Sequence, residues 1–285
     1  MARSAASRSG VPRQRLAGTR IGFIGAGNMA DAMIRGLVQR SGVNPATIVA
    51  TNRSNHDRLA RLEQVYGIRT TREKSDLVAG SDLLVLAVKP RDIPDVLTVV
   101  GPMVRRGQVC VSVAAGVPLA TLCAALPRVP VLRAMPNLAS SVAASVTALA
   151  TNGGVSPGAH ALVRGMFECL GRVVEVSEEC MDAITALAGS GPAYVYRMME
   201  AMTEAGARLG LPGDVARLLA EETVFGAAKL VRETGEEPAV LRQRVTSPGG
   251  TTMAGLQVLE ERGFREALVD AIARAAERAR ELRMG

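Results

Sequence analysis

The 285-residue sequence has two histidines, four cysteines, few aromatics and no long apolar run, and each shortage closes off a class of function. His56 and His160 stand apart from any cluster of Cys, Asp or Glu with ligand spacing, so no metal site is expected. Cys110, Cys123, Cys169 and Cys180 are scattered without a C-x-x-C pair, and the N-terminus lacks the apolar core of a signal peptide. A reducing compartment, the cytoplasm, is the expected location. The longest clear apolar run, Leu83 to Val88, stops at Lys89 and Pro90, far short of the roughly 18 residues a bilayer span needs. No membrane partner is expected. The net charge of +7 invites a nucleic-acid reading until it is located. Arg3, Arg8, Arg13, Arg15 and Arg20 stand in the first 20 residues without an acid, and the rest of the chain carries 29 basic against 27 acidic side chains. That body has no basic stripe interleaved with aromatics, so nucleic acid is not an expected partner.

What is present is a globular composition, 48% hydrophobic and 21% charged, in a chain long enough for a large core or two domains. Residues 1–19 read as a disordered basic tail. An Arg-rich, acid-poor address peptide would look similar, but Gly10, Pro12 and Gly18 interrupt the amphipathic helix such a peptide forms. Residues 20–176 alternate short Val/Ile-rich runs with amphipathic stretches, the pattern of βαβ units and a parallel sheet. The expected strands are 20–24, 47–50, 83–88, 108–113, 129–134, 145–150 and 172–176, and the expected helices are 28–40, 57–66, 94–103 and 118–125. Residues 177–285 become long helical segments broken at Gly189–Pro192, Gly210–Gly213, Gly235, Ser247–Gly250 and Gly263. Ser190 reads as an N-cap with Pro192 in the first turn, opening a helix whose inner face carries Tyr194, Met198, Met202, Ala205 and Leu209. The fold class is α/β: a Rossmann-type, mostly parallel sheet domain followed by an all-α dimerisation domain.

The strongest local chemistry follows the first strand. Gly25-Ala26-Gly27-Asn28-Met29-Ala30 matches G-x-G-x-x-A between strand and helix. Gly25 allows the tight turn, Gly27 lets a pyrophosphate approach the backbone, and small Ala30 lets helix and strand pack. A helix N-terminus there offers free N–H groups and the positive end of its dipole, which makes Gly25, Gly27, Asn28 and Met29 candidate cofactor contacts. The second strand ends in Thr51-Asn52-Arg53-Ser54, where an NAD enzyme would place a carboxylate against the ribose 2′-hydroxyl. Arg53 can instead pair with a 2′-phosphate, and Asn52 and Ser54 can donate to it. NADPH is the expected cofactor and NADH the alternative.

Four further stretches are more specific: Leu86-Ala87-Val88-Lys89-Pro90, Arg133-Ala134-Met135-Pro136-Asn137, Ala188-Gly189-Ser190-Gly191-Pro192-Ala193-Tyr194 and Thr246-Ser247-Pro248-Gly249-Gly250-Thr251-Thr252. Together, over residues 20 to 284, they resemble the pyrroline-5-carboxylate reductase family. The last is the most specific, since the family signature is a glycine pair followed after one residue by threonine in a helix-leading loop. The resemblance implies NADPH-dependent reduction of the cyclic imine 1-pyrroline-5-carboxylate to L-proline, the last step of proline synthesis. It places the cofactor on the Gly25 loop, near Arg53, along Ala87, Val88, Lys89 and Pro90, and at Asn137. It places the small-molecule imine substrate at Ser247, Gly249, Gly250, Thr251 and Thr252, where a Gly-Gly turn into a helix exposes N–H groups for a carboxylate. Thr252 is the catalytic candidate, its hydroxyl directed at the ring nitrogen. A hydroxyl is a poor acid, so orientation and proximity should contribute more than proton transfer. The family's subunits interlock through the helical half, which implies a homodimer, with a higher assembly of dimers as an extension.

One segment departs from the family. After Asn137 the family continues with Thr-Pro and then a Gly-Glu-Gly-like stretch, where this chain has Leu138-Ala139 and Ala143-Ala144-Ser145. A related imine acid, of the piperideine-carboxylate or thiazoline type, is therefore an alternative substrate, and a non-catalytic dinucleotide-binding protein is an alternative role. A β-hydroxyacid dehydrogenase shares the two halves but acts through a lysine early in the second domain, and no lysine stands between Lys89 and Lys229.

Overall fold

The computed structural model describes residues 16–284. Eight strands, β1 (Ile21–Ile24), β2 (Ile48–Thr51), β3 (Arg69–Thr71), β4 (Leu83–Leu86), β5 (Val109–Ser112), β6 (Val131–Met135), β7 (Ser145–Thr151) and β8 (Gly171–Glu175), form one sheet in the order β3-β2-β1-β4-β5-β6-β7-β8. Every neighbouring pair is parallel except β6 with β7. Parallel pairing needs crossovers, and these are α1 (Asn28–Arg35), α2 (His56–Tyr66), α3 (Lys74–Ala79), α4 (Ile93–Val100), α5 (Leu119–Ala125) and α6 (Pro157–Glu168). Apolar packing on both sheet faces explains why β1, β2, β4 and β5 are buried at every residue. Phe23, Leu83 and Val85 enter one core cluster, whereas Ile24, Leu84 and Leu86 enter the other.

The chain runs from β1 outward to β2 and β3, then returns to β4 on the other side of β1. That reversal is the topological switch point at which open α/β sheets bind ligands, beyond the carboxyl ends of β1 and β4. The opposite ends of these strands are tied by Arg20, whose Nη2 donates to Asp82 Oδ1 at 2.7 Å and whose backbone N–H donates to Asp82 Oδ2 at 2.9 Å. The guanidinium beside it holds the Asp82 carboxyl below the usual range.

Several sequence expectations shift. The helix expected over 28–40 ends at Arg35 and continues as a π turn, Gly36–Arg40, and the one expected over 94–103 gives way to a 3₁₀ turn, Gly101–Met103. Strand β3 was not foreseen because three half-exposed polar residues carry no apolar alternation, and α3 because six residues make less than two turns. Helix α6 does carry start signals, a Ser156 side chain accepting from Ala159 N–H and Pro157 in the first turn, but Gly154, Gly158 and Gly165 mask them. Of the expected tail, residues 1–15 lie outside the described residues. Leu16, however, is buried in the core, and Thr19 N–H donates to Leu16 O at 3.0 Å, so residues 16–19 belong to the folded domain and not to a tail reaching residue 19.

By contact the described chain divides into two units, one running to Gly189 and resuming at Ala275, the other Ser190–Arg274. The first ends with α7 (Met181–Ile184) and a π turn, Thr185–Gly189. The second contains α8 (Gly191–Arg208), α9 (Gly213–Thr234), α10 (Pro238–Arg244), α11 (Thr251–Glu261) and the first half of α12 (Phe264–Met284). Ser190 occupies the N-cap position of α8 but makes no capping bond, because its backbone is already helical behind the π turn and leaves no free end to cap. Helices α8 and α9 meet where Gly206 faces Ala216, a spot at which a Cβ would lie 2.9 Å from the alanine methyl. The face expected to lie in a core or a subunit interface is partly open in the single chain: Tyr194 and Met202 are half-buried, Met198 and Ala205 are exposed, and Leu209 is 85% exposed. Phe225, Val245 and Val258 are likewise exposed. Among the described residues no helix is long and apolar enough to cross a membrane.

The segment that departs from the family forms a 3₁₀ turn, Leu138–Val142, closed by Ala143 at φ +56° with its N–H donating to Ser140 O. It is the one described non-glycine residue in left-handed backbone. A Cβ there costs roughly 1 kcal/mol relative to glycine. Ala143→Gly should therefore raise the unfolding free energy by up to about 1 kcal/mol, read as a higher urea midpoint; a lower midpoint would contradict the strain.

Candidate functional site

The glycine loop is held against the exit of β4. Gly25 has φ +108°, its N–H donates to Thr51 O at 3.0 Å, and a Cβ on it would lie 2.6 Å from Ala87 O and 2.9 Å from Val88 Cγ1. Ala87 N–H in turn donates to Ile24 O at 2.9 Å. Two stretches some 60 residues apart in sequence, Gly25–Gly27 and Ala87–Pro90, thus form one lip at the switch point. Gly27 is exposed and extended at the N-cap of α1, and a Cβ there would meet only Ala87 O, at 3.8 Å. The N–H groups of Asn28, Met29 and Ala30 open α1 without acceptors inside the helix. Ala30 is fully buried and Met29 packs against the core, so Met29 offers a ligand its backbone rather than its side chain. A glycine-lined lip under a helix N-terminus fits the pyrophosphate of a dinucleotide.

The turn after β2 is built by two asparagines. Asn52 Oδ1 accepts from the N–H groups of Ser54 and Asn55, and Asn55 Oδ1 accepts from Arg58 N–H at 2.9 Å, capping α2. The Asn52 amide nitrogen, the Ser54 hydroxyl and the Arg53 guanidinium are the donors that the turn does not consume. Arg53 is largely exposed and stands 3.9 Å from Asp92, just past Pro90, while Lys89 is exposed beside them. Behind the loop, Asp31 accepts from Arg61 Nη1 and from the Tyr66 hydroxyl, each at 2.6 Å, and Asn28 Oδ1 accepts from Arg58 Nη2 at 2.8 Å. Burial, with the Asp31 hydrogen bond adding to it, holds the Tyr66 phenol above its usual range, so it remains a donor.

Asn137 is almost fully buried and fully employed. Its Nδ2 donates to Ala188 O at 3.1 Å, its Oδ1 accepts from Ala139 N–H at 3.1 Å, and its N–H donates to Ser145 Oγ. These bonds join the end of β6 to the departing turn and to the π turn Thr185–Gly189. Sequence reasoning named Arg133 only as part of a motif and missed its ion pair: buried on β6, its Nη1 lies 3.1 Å from Glu178 Oε1, and the same oxygen accepts from Leu119 N–H at 2.6 Å. An arginine within a Val/Leu strand was the available signal.

The second unit carries the other predicted loop. Gly249 has φ +69°, Gly250 N–H donates to Ser247 O at 3.0 Å, and Gly250 is the extended N-cap of α11. Gly249 is required by its left-handed backbone, whereas a Cβ on Gly250 would lie 2.3 Å from Ser247 Oγ and oblige that hydroxyl to turn away. Thr251, Thr252 and Met253 then open α11, presenting N–H groups without acceptors inside the helix. Thr252 is half-buried, and its hydroxyl engages no hydrogen bond among the described residues.

The chain is 41% identical over 264 residues to pyrroline-5-carboxylate reductase 1 of Bacillus spizizenii, covering 92% of this chain and 89% of that one. The chain belongs to the pyrroline-5-carboxylate reductase family. Residues 178–282 match the family model described as pyrroline-5-carboxylate reductase dimerisation, and residues 20–116 match NADP oxidoreductase coenzyme F420-dependent. The Pisum sativum member is 39% identical over 262 residues, covering 92% of this chain and 95% of its own. The structure of the Coxiella burnetii pyrroline-5-carboxylate reductase superposes with TM-score 0.83 at 39% identity, covering 93% of this chain and 98% of that one. The Plasmodium falciparum enzyme, solved with NADP bound, superposes with TM-score 0.85 at 25% identity over the same shares. The first unit is thus a nicotinamide-dinucleotide-binding Rossmann domain.

The lip gives a direct test. Gly25→Ala forces a Cβ into Ala87 O and into a backbone conformation that L residues avoid, a strain of about 1–3 kcal/mol. Cofactor binding, followed by fluorescence titration at a temperature where the variant's circular dichroism remains native, should be lost. Wild-type affinity would show that the contact is dispensable.

Proposed function

We propose that this chain reduces 1-pyrroline-5-carboxylate to L-proline with NADPH, as a homodimer in the cytoplasm. The observation that carries the reading is the Ser247–Thr252 loop, where a left-handed Gly249 turns the backbone into the N-terminus of an eleven-residue helix. Such an end suits a substrate carboxylate, and N–H donors fixed in advance lose little entropy on binding it. We assign the carboxylate to Ser247, Gly249, Gly250 and Thr251, and the ring nitrogen to the Thr252 hydroxyl. When bound, the reduced nicotinamide supplies the hydride that the imine carbon accepts, and the ring nitrogen ends as a protonated amine. Thr252 orients that nitrogen by hydrogen bonding, a task suited to a hydroxyl too weakly acidic to be the main proton source.

Gly25, Gly27, Asn28 and Met29 hold the pyrophosphate through backbone N–H groups, and Ala87, Val88, Lys89 and Pro90 flank the cofactor. Asn137 acts by shaping the turn beside β6, since its own polar atoms are already bonded. Asn52, Arg53 and Ser54 favour NADPH: no carboxylate closes β2 to repel a 2′-phosphate, and Arg53 exchanges the long contact with Asp92 for it. Residues 20–176 form the cofactor domain and 177–285 the substrate and dimer domain. The dimer reading is supported by the match to the dimerisation model and by exposed apolar side chains in the matched segment, Leu209, Phe225, Val245 and Val258 among them. The cytoplasm suits four free cysteines.

Absorbance loss of NADPH at saturating 1-pyrroline-5-carboxylate, with piperideine-2-carboxylate and NADH run in parallel, tests the reading. Fast turnover of the five-membered imine with NADPH is expected, and binding of NADPH without turnover would overturn it. Arg53→Ala should raise the KM for NADPH about tenfold, worth about 1.4 kcal/mol, and leave that for NADH nearly unchanged. Thr252→Ala should lower kcat about tenfold at unchanged NADPH affinity, whereas wild-type kcat would remove Thr252 from the chemistry. Light scattering at micromolar protein should give at least twice the mass of one chain.

A further inference from the structure

A further cation stands beside the glycine loop, and neither the motif nor the assignments above use it. Arg58 lies in the first turn of α2, its Nη2 donating to the side chain of Asn28 at 2.8 Å and standing 3.6 Å from Asp31 Oδ2. We propose that Arg58 is a phosphate-binding residue of the cofactor site, taking a phosphate oxyanion of the dinucleotide while its bond to Asn28 holds the mouth of the loop. The proposal rests on the dinucleotide lying at the Gly25 loop.

Three features favour a ligand over a simple tie between helices. The first is charge: Asp31 is one carboxylate facing two guanidiniums, and Arg61 has the shorter contact, 2.6 Å against 3.6 Å. The group Asp31, Arg58 and Arg61 therefore carries a surplus positive charge next to the N-terminus of α1. The second is satisfaction: Arg58 spends Nη2 on a neutral amide, and its Nε is buried without a hydrogen-bond partner among the described residues. A buried unpaired donor is costly, and a small turn of the side chain toward an oxyanion relieves it. The third is access: the side chain is 27% exposed, enough to present one edge of a planar guanidinium, whose fork matches phosphate oxygens in pairs.

Fluorescence titration of the whole protein with NADPH and with NADH tests this in the wild type, Arg58→Ala, Arg58→Lys, Arg61→Ala and Arg53→Ala. Arg58→Ala should weaken NADPH about tenfold and flatten the dependence of log Kd on log salt, and Arg58→Lys should recover part of the loss. Arg61→Ala removes the shorter bond of the same network and should leave Kd within about twofold, given the weakness of exposed pairs. Equal loss for NADH assigns the pyrophosphate, and loss for NADPH alone assigns the 2′-phosphate; either supports the proposal. Unchanged binding of both cofactors by Arg58→Ala, or an equal loss in Arg61→Ala, overturns it. An inert Arg53→Ala beside a weakened Arg58→Ala would remove Arg53 from the NADPH reading and leave this inference standing.

Discussion

Gly25 sits where a single added carbon would clash with the backbone of Ala87, 2.6 Å from its carbonyl oxygen, and that close approach organises the cofactor half of the molecule. It brings the exits of β1 and β4 together at the point where the strand order reverses. It also aims the first turn of α1 across the lip that they form. The lip is made of backbone, so its shape follows from the topology and from one residue's freedom to take φ +108°. Side chains then add charge to a surface already shaped: Arg53 on one turn, Lys89 on the next, Arg58 against Asn28.

The helical unit follows a different logic. Its α8 and α9 pack closely at Gly206 and Ala216, yet it buries little of its own apolar surface. Such a unit gains little hydrophobic stabilisation alone and completes its core against a second copy. The Ser247–Thr252 turn within it is specified locally, by Gly249 in left-handed backbone and Gly250 against Ser247 Oγ, rather than by burial. The sheet half, by contrast, carries two well-filled core clusters of its own.

Much of this was legible in the sequence because the informative residues act locally. The G-x-G-x-x-A run, the Val/Ile-rich strands and the glycine breaks of the helical half each state a backbone geometry by themselves. The departures arise where geometry is set at a distance. Strand β3 is polar and short, existing only because β2 offers an edge, and Ser190 caps nothing because a π turn precedes it. The outward face of α8 reads as a core stripe because periodicity records that a surface is buried, not in which chain the partner lies. Arg58 and Arg133 were given no role of their own from the sequence, since an arginine's partners, here Asn28 and Glu178, are 30 and 45 residues away.

Each half offers placement by backbone: a glycine-lined cradle at the switch point in one, and a Gly249–Gly250 turn opening a helix in the other. The most direct test is isotopic. With NADPH deuterated at the transferable C4 position and unlabelled 1-pyrroline-5-carboxylate, mass spectrometry and NMR of the product should show proline carrying one deuterium on the ring carbon that was the imine carbon. Consumption of NADPH without labelled proline, or proline free of deuterium, would contradict direct hydride transfer and with it the account given for this site.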